Sequence, residues 1–195
     1  LPPIPRVDFE RLQDAPHVLS DNMRRQLRKA SNRLVTDGRD VQIDFTRDDS
    51  EIQALLPEIE RVHVDRDHST GRSSDLDDLE GLHLWRRLIQ ACAADGRIEV
   101  ATMTIDGALA AYVIALPDGR SYRVFDGHFD SGFGRYSPGR LLESTVLDRA
   151  IEALEGVLPG AGRRPRGRPR SQPVREDSAA AAGSSTKPGS STKID

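Results

Sequence analysis

The chain is expected to fold as α/β, a mixed sheet with helices on its faces. Three observations carry this. Residues 97–129 hold three apolar runs divided by the turn signals Asp106-Gly107 and Pro117-Asp118-Gly119, which makes them antiparallel neighbours. Three segments before them and one after repeat apolar residues at helical spacing. Residues 41–45 alternate with period two and add a further strand.

Taken in order, residues 1–19 are rich in proline, lack periodicity and read as an extended lead-in. Ser20 and Asp21 offer N-cap oxygens for a helix through Met23, Leu27, Leu34 and Val35, closed by Gly38. Its outer face carries Arg24, Arg25, Arg28, Lys29 and Arg33, read as a solvated basic face. After the strand at 41–45, Asp48, Asp49 or Ser50 caps a helix over about 51–65, with Pro57 predicting a kink or a late start. Residues 68–78 read as polar and flexible. A helix over 79–94 carries Leu82, Trp85, Leu88, Ile89 and Cys92, and Asp95-Gly96 closes it. Strands follow over 97–105, 108–116 and 121–129. A glycine-studded loop over 130–139 then opens into a helix over 140–155. A strand that passes through such a loop into a helix N-terminus builds an anion site, because first-turn N–H groups are unpaired and the dipole is positive there.

Composition divides the chain. Beyond residue 155 large apolar residues almost vanish, so the core belongs to 20–155, and residues 156–195 read as a disordered Arg/Pro/Gly- and Ser/Ala-rich tail. The tail has eight Lys or Arg against three acidic residues, a net +5, which leaves −8 for the rest of a chain whose total is −3. A single cysteine, Cys92, excludes an internal disulfide and fits a packing role in a cytoplasmic protein. No apolar run nears the roughly 18 residues of a membrane span.

The chain resembles the Gcn5-related N-acetyltransferase (GNAT) superfamily, and within it the CelD-like acetyltransferases associated with cellulose and exopolysaccharide biosynthesis. Four stretches carry the resemblance: the Arg-rich helix from Met23 to Leu34, the sequence Ala94-Asp95-Gly96-Arg97 ahead of a strand, the Asp106-Gly107 hairpin followed by Ala110-Ala111, and Tyr136-Ser137-Pro138-Gly139-Arg140-Leu141-Leu142 opening the last helix. It implies acetyl-CoA or another acyl-CoA as donor, and an amine or hydroxyl acceptor. It also implies that Val124, Phe125 and Asp126 line the pantetheine arm, and that Ser137, Gly139, Arg140 and Leu141 hold the pyrophosphate. The family continues into a further strand after this helix that the sequence does not display, so a truncated sheet is expected.

Acyl transfer needs a base for the acceptor proton and a donor for the leaving thiolate. His128, Asp130, Tyr136 and Glu80 are the groups expected near a cleft, with turn capping by Asp130 and helix packing by Tyr136 as competing roles. The run from His63 to His68 looks like a metal motif but ends a helix and lacks a supporting His cluster, so no metal is assigned. Pro165-Arg166-Gly167-Arg168-Pro169 matches an AT-hook core. The alternative function is therefore a noncatalytic module that binds nucleic acid through Arg163, Arg164, Arg166, Arg168 and Arg170. A simple polycation explains attraction to nucleic acid equally well.

Overall fold

A computed structural model describes residues 6–8, 19–118 and 121–155, and the side chains of 19–118 and 121–152. The tail at 156–195, with its AT-hook-like arginines, lies outside the described residues.

Ser20 accepts from the Met23 N–H at 3.2 Å and starts helix α1, Asp21–Thr36. Gly38, at φ +64°, provides the left-handed exit that an L side chain resists. Strand β2, Val41–Thr46, follows. Asp48 accepts from Glu51 N–H at 3.0 Å and begins helix α2, Asp49–Ser69. Ile52, Leu56, Ile59 and Val62 form its buried stripe. Pro57 is exposed within this helix, so water can take the carbonyl it leaves unpaired. Helix α3, Leu79–Ala94, begins at the Asp78 cap, whose carboxylate accepts from Gly81 N–H at 2.7 Å.

Strands β3 (Glu99–Ile105), β4 (Ala108–Pro117) and β5 (Ser121–Phe129) form the meander. Asp106 and Gly107 take φ of +52° and +80° in the first turn, the two left-handed residues that a two-residue hairpin demands. The 3₁₀ segment Ser131–Tyr136 leads into helix α4, Pro138–Glu155. A short strand within the lead-in, β1 at Arg6–Asp8, completes a sheet of order β1-β5-β4-β3-β2. Every pairing among the described residues is antiparallel.

The sheet is covered on both faces, as the sequence leads one to expect. Ala101, Met103, Ile105, Val113 and Ala115 pack with Leu34 of α1 and Leu142, Val146 and Ala150 of α4. Val100, Leu109, Tyr112 and Ile114 pack with Ile52, Ile59 and Val62 of α2 and Ile89 of α3. Alternation along each strand sends successive side chains to opposite cores.

Two expectations need correction. Residues 68–78 are not a loose linker. Helix α2 runs on to Ser69, Ser74 and Leu76 are buried, and Asp77 accepts from Ser74 N–H at 2.8 Å while facing His68 at 2.9 Å. The lead-in also contributes a strand, because backbone pairing to β5 needs no apolar pattern of its own.

Candidate active site

Strand β5 brings the site together. Asp126 and His128 lie two residues apart and share the face toward α2, while Tyr112 stands directly opposite His128 on β4. Helix α2 supplies His63 and Asp67, one turn apart on one face. Their polar atoms converge. The Tyr112 hydroxyl donates to Asp126 Oδ2 at 3.0 Å and lies 3.0 Å from His63 Nδ1 and 3.2 Å from His128 Nδ1. Each Nδ1 lies 3.1 Å from an Asp126 oxygen. The two imidazoles stack at 4.1 Å between centroids, tilted by 31°. On their far side Asp67 faces His63 Nε2 at 3.4 Å and His128 Nε2 at 3.8 Å, with Arg72 3.3 Å from its carboxylate.

Protonation follows from this arrangement. Burial opposes the charge on Asp126, but hydrogen bonds from His128 and His63, and their charge, outweigh it and hold the carboxyl far below its ordinary range. Burial likewise opposes the charge on His63, yet Asp126, with Asp67 and Asp75 behind it, raises its pKa above 6.5. Burial, reinforced by Asp126, pushes the Tyr112 hydroxyl far up, so it stays protonated and can only donate to an anion.

The cluster opens onto a cleft of about 560 Å³. His63, Asp126 and Phe125 meet Trp85, Leu84 and Leu88 there, with Asp75 and Asp78 on its rim. Leu84 and Leu88 are 69% and 45% exposed, an apolar wall that the fold itself leaves uncovered. Gly81 shapes this wall: a Cβ there would lie 2.0 Å from the Asp75 carbonyl oxygen. Gly81→Ala is therefore expected to displace the 75–78 turn, at a cost of about 1–3 kcal/mol. Thermal denaturation should show Tm lower by several degrees, with an unchanged Tm for the exposed-site control His83→Ala; equal melting of the two variants would refute the close approach.

Phe125 has no partner in the β4–β5 register, where Ile114 pairs with Asp126 and Ala115 with Val124, so β5 bulges at the cleft. β1 covers the outer edge of β5 only at Ser121, Tyr122 and Arg123. From Val124 onward that edge has no strand partner among the described residues. The side chains of Val124 and Asp126 nevertheless part company: Val124 packs on the α1/α4 core and Asp126 enters the histidine cluster.

Ser137 takes φ +53° just before α4. Its N–H is bonded to the Gly134 carbonyl at 3.1 Å, and the Leu141 N–H to the Ser137 carbonyl at 3.2 Å. Of the four expected anion ligands, Gly139 and Arg140 thus keep first-turn N–H groups without an intrahelical acceptor. The Arg140 guanidinium donates to Gln26 of α1 at 2.6 Å.

The other expected groups lie elsewhere. Asp130 caps the 3₁₀ segment through Gly132 N–H at 2.8 Å and pairs with Arg61 at 3.0 Å. Tyr136 is buried in the opposite core, donates to Asp37 at 2.8 Å and accepts from Arg39 at 3.0 Å. Glu80 is exposed in the first turn of α3 and does not line the cleft. Of the sequence candidates, only His128 and Asp126 join the cluster. His63, Asp67 and Tyr112 were not assigned there. The i, i+4 spacing of His63 and Asp67 and the i, i+2 spacing of Asp126 and His128 place each pair on one face, but nothing local joins the pairs.

A family model described as an acetyltransferase (GNAT) domain matches residues 21–158. No curated protein matches the chain. Among solved structures, similarity is found to the C-terminal domain (DUF2156) of a protein described as a lysylphosphatidylglycerol synthetase from Agrobacterium fabrum, at 14% identity and a TM-score of 0.47. That alignment covers 77% of this chain and 43% of the other, so this chain spans less than half of that structure's length.

Proposed function

The chain belongs to the acetyltransferase (GNAT) domain family, and from that premise we propose that it transfers an acetyl group from acetyl-CoA to an amine, with His63 taking the acceptor proton. One observation carries the reading: a buried His–Asp–Tyr cluster opens through His63 and Asp126 onto a cleft beside the bulge of β5. Domains of this family use acyl-CoA as cosubstrate. The residues present fit it. The edge of β5 from Val124 onward, without a strand partner among the described residues, can pair with the amides of the pantetheine arm, and the first-turn N–H groups of Gly139 and Arg140 can meet phosphate. The donor would supply a thioester, and the chain's own residues would do the rest.

Asp126 orients His63 and stabilises the imidazolium formed when the proton arrives. Tyr112 fixes the positions of both histidines through one hydroxyl. Asp75 and Asp78 at the rim favour a cationic acceptor over a neutral hydroxyl. The apolar wall of Leu84, Leu88 and Trp85 fits an aliphatic or aromatic acceptor body better than a bare saccharide. Within the family our reading keeps the chain near the CelD-like branch, on the Arg-rich helix and the Tyr-Ser-Pro-Gly turn. It also takes 20–155 as the acyltransferase domain.

Acetyl-CoA binding is the direct test. A ligand that binds only the native state stabilises it by about 2.7 kcal/mol at a hundredfold excess over Kd. A rise in Tm with acetyl-CoA and binding heat by calorimetry are expected. Absence of both at millimolar ligand would overturn the reading.

A further inference from the structure

We propose that His63, His128 and Asp126 form a binding site for a divalent transition-metal ion of the zinc type. A neutral imidazole carries one N–H. The Asp67 carboxylate lies behind Nε2 of both rings, at 3.4 and 3.8 Å, and both Nδ1 atoms point inward. There they meet the two oxygens of Asp126. The Tyr112 hydroxyl brings one proton to a hub of two nitrogens and a carboxylate. Without metal, Asp126 accepts from both Nδ1–H groups and from Tyr112; a divalent cation displaces the two Nδ1 protons and takes the same convergent nitrogens and carboxylate.

Geometry supports a metal in that role. One ligand atom from each of the three residues lies within 4.8 Å of the other two. The 3.1 Å separations between each Nδ1 and Asp126 are close to the edge of a zinc tetrahedron, about 3.3 Å for bonds of about 2.0 Å. Two imidazoles and a carboxylate suit zinc, cobalt or nickel more than magnesium or calcium. Asp67 behind both rings stands where a metal-bound histidine usually has its outer carboxylate. The ligands sit on a core strand and mid-helix, which leaves them little freedom to separate. His63 and Asp126 also border the cleft, so a fourth position is open to water.

Metal and proton compete for the same nitrogens, so zinc should inhibit the acyl transfer proposed above. The binding test itself does not depend on that reading. Untagged, chelator-treated protein is titrated with Zn²⁺ against a chromogenic chelator, and with Co²⁺ for its visible spectrum. One equivalent per chain with micromolar or tighter Kd, and intense tetrahedral Co²⁺ bands, are expected. His63→Ala and His128→Ala should each weaken binding at least a hundredfold, Asp67→Asn about tenfold or more, and exposed His83→Ala not at all. If an alanine variant fails to fold, His128→Gln and a zinc-dependent rise in wild-type Tm take its place. No stoichiometric binding, octahedral cobalt bands, or zinc affinity indifferent to both histidines would overturn the proposal and leave protons to balance the cluster.

Discussion

Replacing His63 with Ala should lower kcat/KM for acetyl transfer by about 100- to 10,000-fold, the usual worth of a positioned base. Acetyl-CoA should still bind, because the β5 edge and the start of α4 are untouched. The pH profile provides a second reading. The base must be neutral to act, and Asp126 raises its pKa above 6.5. The rate of the wild-type enzyme should therefore climb with pH through a midpoint above 6.5, and the limb should vanish in the variant. Asp67→Asn removes one of the carboxylates that raise His63 and should shift the limb toward lower pH. A fall of less than threefold for His63→Ala, with the limb intact, would exclude His63 as the base.

The second large effect is on stability. Glu99 is 1% exposed at the start of β3 and accepts from Tyr122 at 2.8 Å, Arg47 at 2.8 Å and Arg149 at 3.3 Å. It ties β3, β5, the turn before α2 and helix α4 together. Glu99→Ala strands the Tyr122 hydroxyl and leaves two guanidinium groups facing each other. Both arginines are about half exposed and can rehydrate, so the expected cost is about 2–4 kcal/mol rather than that of a fully buried pair. Burial opposes the Glu99 charge, but Tyr122, Arg47 and Arg149 prevail and lower its pKa below 4.5. A lowered carboxyl stabilises the fold above its unfolded pKa and loses that stabilisation as pH falls through the folded value. Wild-type stability should thus decline below about pH 4.5, and Glu99→Gln should flatten that decline. Denaturant melts at pH 7 and pH 3.5 measure both, and an unchanged acid slope in Glu99→Gln would refute the assignment.

Much of the fold was legible because its signals are local. The α3 boundaries, the Asp106-Gly107 hairpin and the start of α1 at Ser20 follow from caps, turn chemistry and periodicity within a few residues. The strand at 121–129 was equally readable, while β1 was not, since its pairing with β5 joins segments more than 100 residues apart. The end of α2 was missed because its last turn, through Asp67 and His68, is polar on the outside and held by tertiary partners.

The sequence by itself determined the meander, the glycine-rich turn into α4 and the division of charge between domain and tail. Period and turn chemistry act over single elements, so they survive without any knowledge of the fold. Only the tertiary structure decided the site. It set Tyr136 in the opposite core and Asp130 on Gly132 and Arg61, and it joined His63 to Asp126 across 63 residues. That junction depends on how α2 crosses the sheet, which is settled by Ile52, Ile59 and Val62 packing on Val100, Tyr112 and Ile114. Apolar packing of this kind is nondirectional and long-range in sequence, so no local pattern announces which polar side chains it will bring within reach of one another.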